Sequence, residues 1–415
     1  MSYIETIENI KKEHGEDVSE WTKETLSNMA VAESKLHAYD NAHMYYLLAG
    51  DKNKATEMLN QIPETELESN YRDHISPSVK IMHLKGRRGV IAKEDLHIGH
   101  VICKMPLYLC KSGTKQELVE HISKKSIYSE SLPTDDIFPA LWDLSVRDQI
   151  SVSPLRLVLE EKIQMFEKED TGVPHYKYLR SLVGSRCFSD DKNDYIVPFA
   201  DMLNHSNKPN VDWTFEKDYF IMKTTSEVKA HEELFDYYGP KSNYESFIHY
   251  GFVQPNNTKL DVVRLVGELP EKVAKHRLDA RYFQRAFEFE LRGSYMEGTV
   301  EIFSFLRYVR SNEKRCPETL KGYYHPPVSK ENELWVCKML FNMLQKETHR
   351  RVEETAYGVS NPLAIALLQS ELNVLIYWGE VLKLSIHIME KGDRKSLKKS
   401  KNDYIVKVIK KYKYY

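Results

Sequence analysis

Residues 1–80 place apolar side chains at helical spacing. Leu36, Tyr39, Ala42, Tyr45 and Tyr46 form one stripe, and Ala55, Met58 and Leu59 form a second. Gly50-Asp51 interrupts the run, which predicts a helical hairpin. The pattern suits either one tetratricopeptide-like unit or a helical pair packed on the main body. A lone repeat cannot bury its own face, which favours the packed pair. From 81 to 110 the pattern changes to short β-branched runs separated by glycines, IMHLKGRRGVIAKEDLHIGHVICKMPLYLC, which predicts two or three strands. Residues 115–180 return to charged, helical segments. Residues 185–260 predict strands again: YIVPF, then VDWTF and YFIMKT around an acidic turn at Glu216-Lys217-Asp218. Beyond about 268 helical periodicity dominates, with Leu334, Cys337, Leu340 and Leu344 on one buried face. The expected class is α+β. A helical region spans 1–80, a β-rich body spans 81–261 with a helical insert at about 111–180, and a helical domain spans 262–415.

At roughly 100–200 residues per domain, 415 residues suggest two to three domains. A chain 41% apolar and 29% charged can bury a core and is not a disordered or collagen-like protein. Its net charge of −2 argues against a bulk nucleic-acid coat. The exception is the tail from Lys391, KGDRKSLKKSKNDYIVKVIKKYKYY, with ten basic and two acidic residues. That tail reads as a helix end with Tyr404, Ile405, Val408 and Ile409 docked. A nuclear-import signal at Lys395 to Lys401 and a contact with an acidic partner or RNA are the other readings. The five cysteines, Cys103, Cys110, Cys187, Cys316 and Cys337, lie far apart with no CxxC pair. Neither a zinc cluster nor a disulfide framework is expected, and a reducing compartment fits. The charged N-terminus lacks the apolar core of a signal peptide. The most apolar stretch, Pro362 to Ile386, is cut by Glu371, Glu380 and Lys383, unlike a membrane span. A soluble protein of the cytoplasm or nucleus is expected.

The chain has no P-loop, no GxGxxG after a strand, no HExxH and no GxSxG. Two segments are instead dense in polar and aromatic residues. Pro198-Phe-Ala-Asp201-Met-Leu-Asn204-His205-Ser206 follows a buried-looking strand. Downstream lie Glu232-Glu-Leu-Phe-Asp-Tyr237-Tyr238-Gly-Pro-Lys-Ser242-Asn243 and His249-Tyr250-Gly251-Phe252. Buried polar groups are costly unless hydrogen-bonded, so their concentration in a β-rich body points to a site for something polar. The clustered tyrosines suit a cation.

The order GRRGVIA, GSRCF, VPFADMLNHS, EELFDYYGPKSN and HYGFV resembles the SET-domain protein methyltransferases. It is most similar to the branch typified by the Rubisco large-subunit lysine methyltransferase, in which a helical insert splits the SET core and an all-helical substrate-binding domain follows. The resemblance covers roughly residues 80–415. It implies small twisted sheets with a knot-like C-terminal threading, S-adenosylmethionine as cofactor and no metal. The turn at Gly86, Arg87 and Arg88 would hold the cofactor by its backbone, although the usual Gly-x-Gly is Gly-Arg-Arg-Gly here. Arg186 would meet the cofactor's carboxylate, a match for a guanidinium fork. Asn204 and His205 would bind the cofactor, and Phe252 would pack on the adenine or under the knot. Tyr238 would be the catalytic tyrosine, with Tyr237 as its competitor. Phe188, Asp201, Trp213 and Tyr250 would line the substrate channel; Asp201 could equally cap a turn, and Trp213 could equally be core. His231 stands where the family has glycine, in a turn that histidine tolerates.

The implied reaction is in-line attack of an amine on a sulfonium methyl. Free lysine has a pKa near about 10.4, and burial beside a positive sulfur favours its neutral form. Phe188 and Tyr250 favour lysine over the histidine methylated by a related branch. The helical domain would dock a protein substrate, and the branch's ribosomal and translation targets make such a substrate the expectation. A monomer is expected. The alternatives are a protein-histidine methyltransferase, a catalytically silent SET-like scaffold, and a nucleic-acid binder led by the tail.

Overall fold

The computed structural model describes residues 23–84, 87–133, 137–257, 260–268, 286–293, 299–310, 325–356, 358–393, 395 and 404–414. The chain divides into two compact units. The first comprises Met1–Asp135 and Phe166–Pro240, the second Asp136–Met165 and Lys241–Tyr415. The boundary at Met165 and Phe166 falls inside the helix Leu155–Glu169.

The first unit opens with the helices Lys23–Lys35, Tyr39–Ala49 and Lys52–Gln61. Gly50, at φ 80°, ends the second of these, and the Asp51 side chain accepts from the Lys54 N–H to start the third. The Gly50-Asp51 break thus produces the hairpin the sequence predicts. Its apolar face, including Ala42, Met44, Tyr45, Tyr46, Ala55, Met58 and Leu59, forms one buried cluster with Met82 and Ile91. The hairpin is therefore packed on the β-body and is not a free-standing repeat.

That body consists of small sheets. Strands β1 (Val79–Leu84), β2 (Arg87–Ala92), β7 (Asn204–His205) and β10 (Glu233–Asp236) form one sheet, ordered β1-β2-β10-β7. Strands β3 (Val101–Pro106), β8 (Val211–Glu216) and β9 (Tyr219–Thr224) form a second, ordered β3-β9-β8. Strands β4 (Lys111–Gly113), β5 (Cys187–Ser189) and β6 (Asp194–Ile196) form a third, ordered β4-β6-β5. The β8–β9 hairpin turns at Lys217, φ 53°, at the acidic turn seen in the sequence. Helices Lys115–Ile122, Ile127–Glu130 and Tyr176–Arg186 occupy the expected insert.

The second unit contains the helices Thr299–Arg310, Lys330–Ala356 and Pro362–Lys391. Asn361 caps the last, accepting from the Leu363 and Ala364 N–H groups. Cys337, Leu340 and Leu344 lie fully inside its core, with Leu334 partly buried against it. Burying each such side chain contributes about 1.5–3 kcal/mol. This region does not begin as helix. Strands β11 (Val262–Glu268) and β12 (Ala286–Arg292) form an antiparallel ribbon whose Val263, Leu265, Phe289 and Leu291 enter the same core. Period-two apolar positions thus replace helical periodicity at the entry to the domain expected to be all-helical. In the tail, Val408 and Ile409 of the helix Tyr404–Tyr412 are buried; the side chains of Tyr404 and Ile405, and most of Lys395 to Lys401, lie outside the described residues. Among the described residues no helix is long and apolar enough to cross a membrane, and no cluster of three or more His, Cys, Asp or Glu could hold a metal ion.

Candidate active site

Three strands of the first sheet bring the polar segments together. Strand β10 pairs antiparallel with β2, Glu233 opposite Ile91 and Leu234 opposite Val90. It also pairs in parallel with β7, Phe235 opposite Asn204 and Asp236 opposite His205. Strands this short carry little ladder energy of their own, and Asn210 reinforces them. Its Nδ2 donates to the Glu233 carbonyl at 2.9 Å, and its Oδ1 accepts the Phe235 N–H at 2.7 Å.

The approach to Asn204 is strained. Phe199 is fully buried at φ 73°, a region that costs a non-glycine residue about 1–3 kcal/mol. It introduces the one-turn 3-10 helix Ala200–Met202, which presents Asp201. The Asp201 carboxylate is fully buried. Its Oδ2 accepts from the Tyr128 hydroxyl at 2.7 Å and from Arg186 NH1 at 2.9 Å, and the same NH1 reaches the Asp201 carbonyl at 2.8 Å. Asp201 Oδ1 and Arg186 Nε are buried with no partner among the described residues.

Arg88 belongs to the same group, and its NH1 donates to the Ser131 carbonyl. Burial pulls the Arg88 pKa down to about 10, and the neighbouring Arg186 charge adds to the fall. Burial also opposes the charge on Arg186, but Asp201 and the tyrosine hydroxyls more than offset it, so Arg186 lies above its ordinary value. Burial and the Asp201 charge push the Tyr128 hydroxyl well above its usual range. Two guanidiniums thus lie close to the Asp201 carboxylate.

Asn204 Nδ2 donates to the Arg88 carbonyl and to Glu233 Oε1, each at 2.7 Å. His205 Nδ1 accepts the Tyr238 N–H at 3.0 Å. A backbone N–H can only donate, so Nδ1 carries no proton and His205 is a neutral ring with its proton on Nε2. The Tyr238 hydroxyl donates to the Leu203 carbonyl at 2.6 Å. Tyr237 stacks on His205 with ring centroids 5.7 Å apart, but its side chain is exposed. Between the two tyrosines, Tyr238 has its hydroxyl held among the buried groups. Asp236 is buried, which raises its pKa to about 6 against the opposing Tyr237 N–H.

Of the residues singled out in the sequence, Arg88, Arg186, Asp201, Asn204, His205 and Tyr238 come together in the first unit. Arg87 and Arg88, expected in a turn, instead begin β2, where Leu84 pairs with Arg87 and His83 with Arg88. Gly86 and the Arg87 side chain lie outside the described residues. Phe188 and Trp213 meet edge-on at 5.3 Å and both contact Phe220, so they belong to an aromatic cluster on β5, β8 and β9. Tyr250 and Phe252 belong to the second unit, their ring centroids 6.0 Å apart around Gly251 at φ 72°. A Cβ on Gly251 would fall 2.4 Å from the Ile137 carbonyl oxygen, which accounts for glycine there. In that unit Asn243 is a structural hub, bonded to Gln254 and Asp261. His231, at φ 72°, does occupy a turn, and it also contacts Thr56 (3.1 Å) and the His43 ring (5.0 Å) on the N-terminal helices.

Tyr128 and Asn210 carry no individual signal in the sequence, and Glu233 stands out only as part of the segment 232–243. The Glu-Glu at the start of β10 marks Glu233; Tyr128 lies 73 positions from Asp201 and has no such mark.

Residues 87–239 match the SET domain family. Curated relatives match in part. SET domain-containing protein 4 of Mus musculus is 26% identical over 223 residues, 49% of this chain and 51% of that protein. N-lysine methyltransferase setd6 of Xenopus tropicalis is 33% identical over 99 residues, 23% of this chain and 22% of that one. Ribosomal lysine N-methyltransferase set10 of Schizosaccharomyces pombe is 32% identical over 111 residues, 24% and 19% of the two chains. The chain thus spans about half or less of the length of these relatives. Among solved structures, Rubisco LSMT bound to AdoMet aligns with a TM-score of 0.56 at 19% identity, over 79% of this chain and 92% of that one. The SET domain of LSMT bound to lysine and AdoHcy aligns with a TM-score of 0.54 at 18% identity, over 83% and 93%. The fold is shared with these structures.

Proposed function

We propose that this SET-domain chain is an S-adenosylmethionine-dependent protein-lysine N-methyltransferase. The observation that carries the reading is the joint placement of Asn204, His205 and Tyr238 beside the Arg88–Arg186–Asp201 cluster, inside a matched SET domain.

The residues present fit the cofactor. The two neighbouring guanidiniums and the unpartnered, buried Arg186 Nε suit a carboxylate. Asn204 Oδ1, with the amide nitrogen already spent, suits an amine. Bound there, S-adenosylmethionine supplies an electrophilic methyl on a positively charged sulfur. Arg88 and Arg186 would bind the acidic end, and Asn204 and His205 would orient it. Tyr238 has committed its hydroxyl proton to the Leu203 carbonyl. Its oxygen therefore acts as an acceptor, able to hold the N–H of a lysine amine and aim the lone pair. It is not the base. Holding the reacting groups in line is worth up to about 7–11 kcal/mol of the barrier.

The roles of Phe188, Trp213, Tyr250 and Phe252 rest on the resemblance. So do a protein substrate of the ribosomal or translation type docked by the helical domain, a monomeric state, and a cytoplasmic or nuclear location. The test is calorimetric titration of S-adenosylhomocysteine into wild type and Asn204→Ala, followed by labelled-methyl transfer to cell extract with Tyr238→Phe as control. Micromolar binding lost in Asn204→Ala, and transfer lost in Tyr238→Phe, are expected. No binding by wild type at millimolar ligand refutes the reading.

A further inference from the structure

Glu233 carries a buried carboxylate that the mechanism above does not use. It opens β10 and is only 7% exposed. Its Oε1 accepts one proton of Asn204 Nδ2, and the Arg88 carbonyl accepts the other. A backbone carbonyl cannot donate, so the side of Asn204 that faces it must be nitrogen. With both N–H groups committed, Oδ1 is the one atom of the carboxamide without a partner among the described residues. The terminal torsion of asparagine is otherwise broad and permits either face outward.

Gly89 is the third part. A Cβ at this position would lie 2.6 Å from Glu233 Oε1 and 3.1 Å from Asn204 Nδ2. The backbone there is ordinary, so a methyl at this position would meet the carboxylate and force it to move. The second glycine of Gly-Arg-Arg-Gly thus has a steric reason that a turn does not supply.

We propose that Glu233, seated against the bare backbone of Gly89, is a positioning residue that locks Asn204 as a hydrogen-bond acceptor toward its ligand. The inference deepens the cofactor reading and rests on it for the identity of that ligand. It requires the ligand group at Asn204 to be a donor.

Two readouts separate the lock from the cofactor reading. The first is calorimetric titration of S-adenosylhomocysteine into folded wild type, Glu233→Gln, Glu233→Ala, Gly89→Ala and the Gly89→Ala/Glu233→Ala double variant. Glu233→Ala weakens binding by about tenfold to a hundredfold, the range for losing a hydrogen bond to a charged partner. Glu233→Gln, which keeps an acceptor oxygen, stays within about threefold. Gly89→Ala weakens binding by about tenfold, and adding it to Glu233→Ala costs little more because the new methyl has nothing to displace. Unchanged binding in Glu233→Ala, failure of Glu233→Gln to rescue, or additive effects in the double variant would overturn the lock. If Glu233→Ala does not fold, the contrast between Glu233→Gln and Gly89→Ala decides. The second readout needs no ligand: both side-chain amide protons of Asn204 resist solvent exchange in wild type, by 15N-resolved NMR, and at least one loses protection in Gly89→Ala. Protection without binding would leave the lock standing and remove the cofactor reading. Exposed amide protons in wild type would overturn the lock.

Discussion

Asp201→Asn removes the carboxylate paired with Arg186 while nearly preserving shape. In the native protein that carboxylate is fully buried, 2.9 Å from a guanidinium whose side chain is 14% exposed. Removing one partner of a buried pair leaves the other charge unpaired and costs about 3–5 kcal/mol. The residual exposure of Arg186, and the carbonyl of residue 201 that still accepts from NH1, argue for the lower end, about 3 kcal/mol. Tyr128→Phe removes one hydroxyl donor and leaves the ion pair, for about 1.5–3 kcal/mol. The surface pair Lys125–Glu130, 2.9 Å apart with its side chains 86% and 49% exposed, serves as control. Glu130→Gln should cost less than about 0.5 kcal/mol. Urea unfolding with probes in both units gives the three values. At about 2–4 °C per kcal/mol, Asp201→Asn should also lower the melting temperature of the first unit by about 6–12 °C. Asp201→Asn within about 1 kcal/mol of wild type, or no more harmful than Glu130→Gln, would refute the view that Asp201 neutralises buried charge.

Gly251→Ala meets both a left-handed backbone and a backbone oxygen 2.4 Å from the new methyl. It should destabilise the second unit by more than about 2 kcal/mol in chemical denaturation, whereas alanine at Gly379, with nothing within 4 Å, should be neutral or better. Glu371 is fully buried among Arg351, Tyr244 and Ser153, so Glu371→Gln should cost about 3–5 kcal/mol by the same assay. Two buried groups set opposing pH dependences. Burial lowers the His43 pKa to about 4, so the unfolded chain binds its proton first, and stability from this group rises with pH between about 4 and 6.5. Burial raises Asp236 to about 6, so the folded chain holds that proton longer, and its contribution falls as pH rises from about 4 to 6. His43→Gln should abolish the rise and Asp236→Asn the fall in stability measured across pH 4–7; a wild-type slope unchanged in both would refute the assignments.

Much of the architecture is carried by local patterns. Gly50-Asp51 stops one helix and caps the next because glycine takes φ 80° and aspartate accepts an N–H three residues on. The hairpin 211–224 follows from two apolar, strand-forming runs and a turn, and each needs only its neighbours. The polar residues of 201–206 and 233–238 stood out for the same local reason, their density beside apolar strands. Strands β7 and β10, of two and four residues, are too short to show a period, and the β11–β12 ribbon pairs positions 18 to 30 residues apart. Those elements exist because distant partners complete their hydrogen bonds.

The sequence by itself therefore determined which chemical groups are available, and the helices and hairpins whose stabilising contacts lie within a few residues. Only the tertiary structure decided how those groups are used. It spends the Tyr238 proton on Leu203, makes His205 a neutral acceptor, sets Arg186 against Asp201 and Tyr128, and turns the Asn204 nitrogen inward onto Glu233 and the Arg88 carbonyl. Each of these depends on direction and distance between atoms far apart in the chain. Burial then makes those directions costly to change, because a donor or acceptor turned away from its partner has no water to replace it.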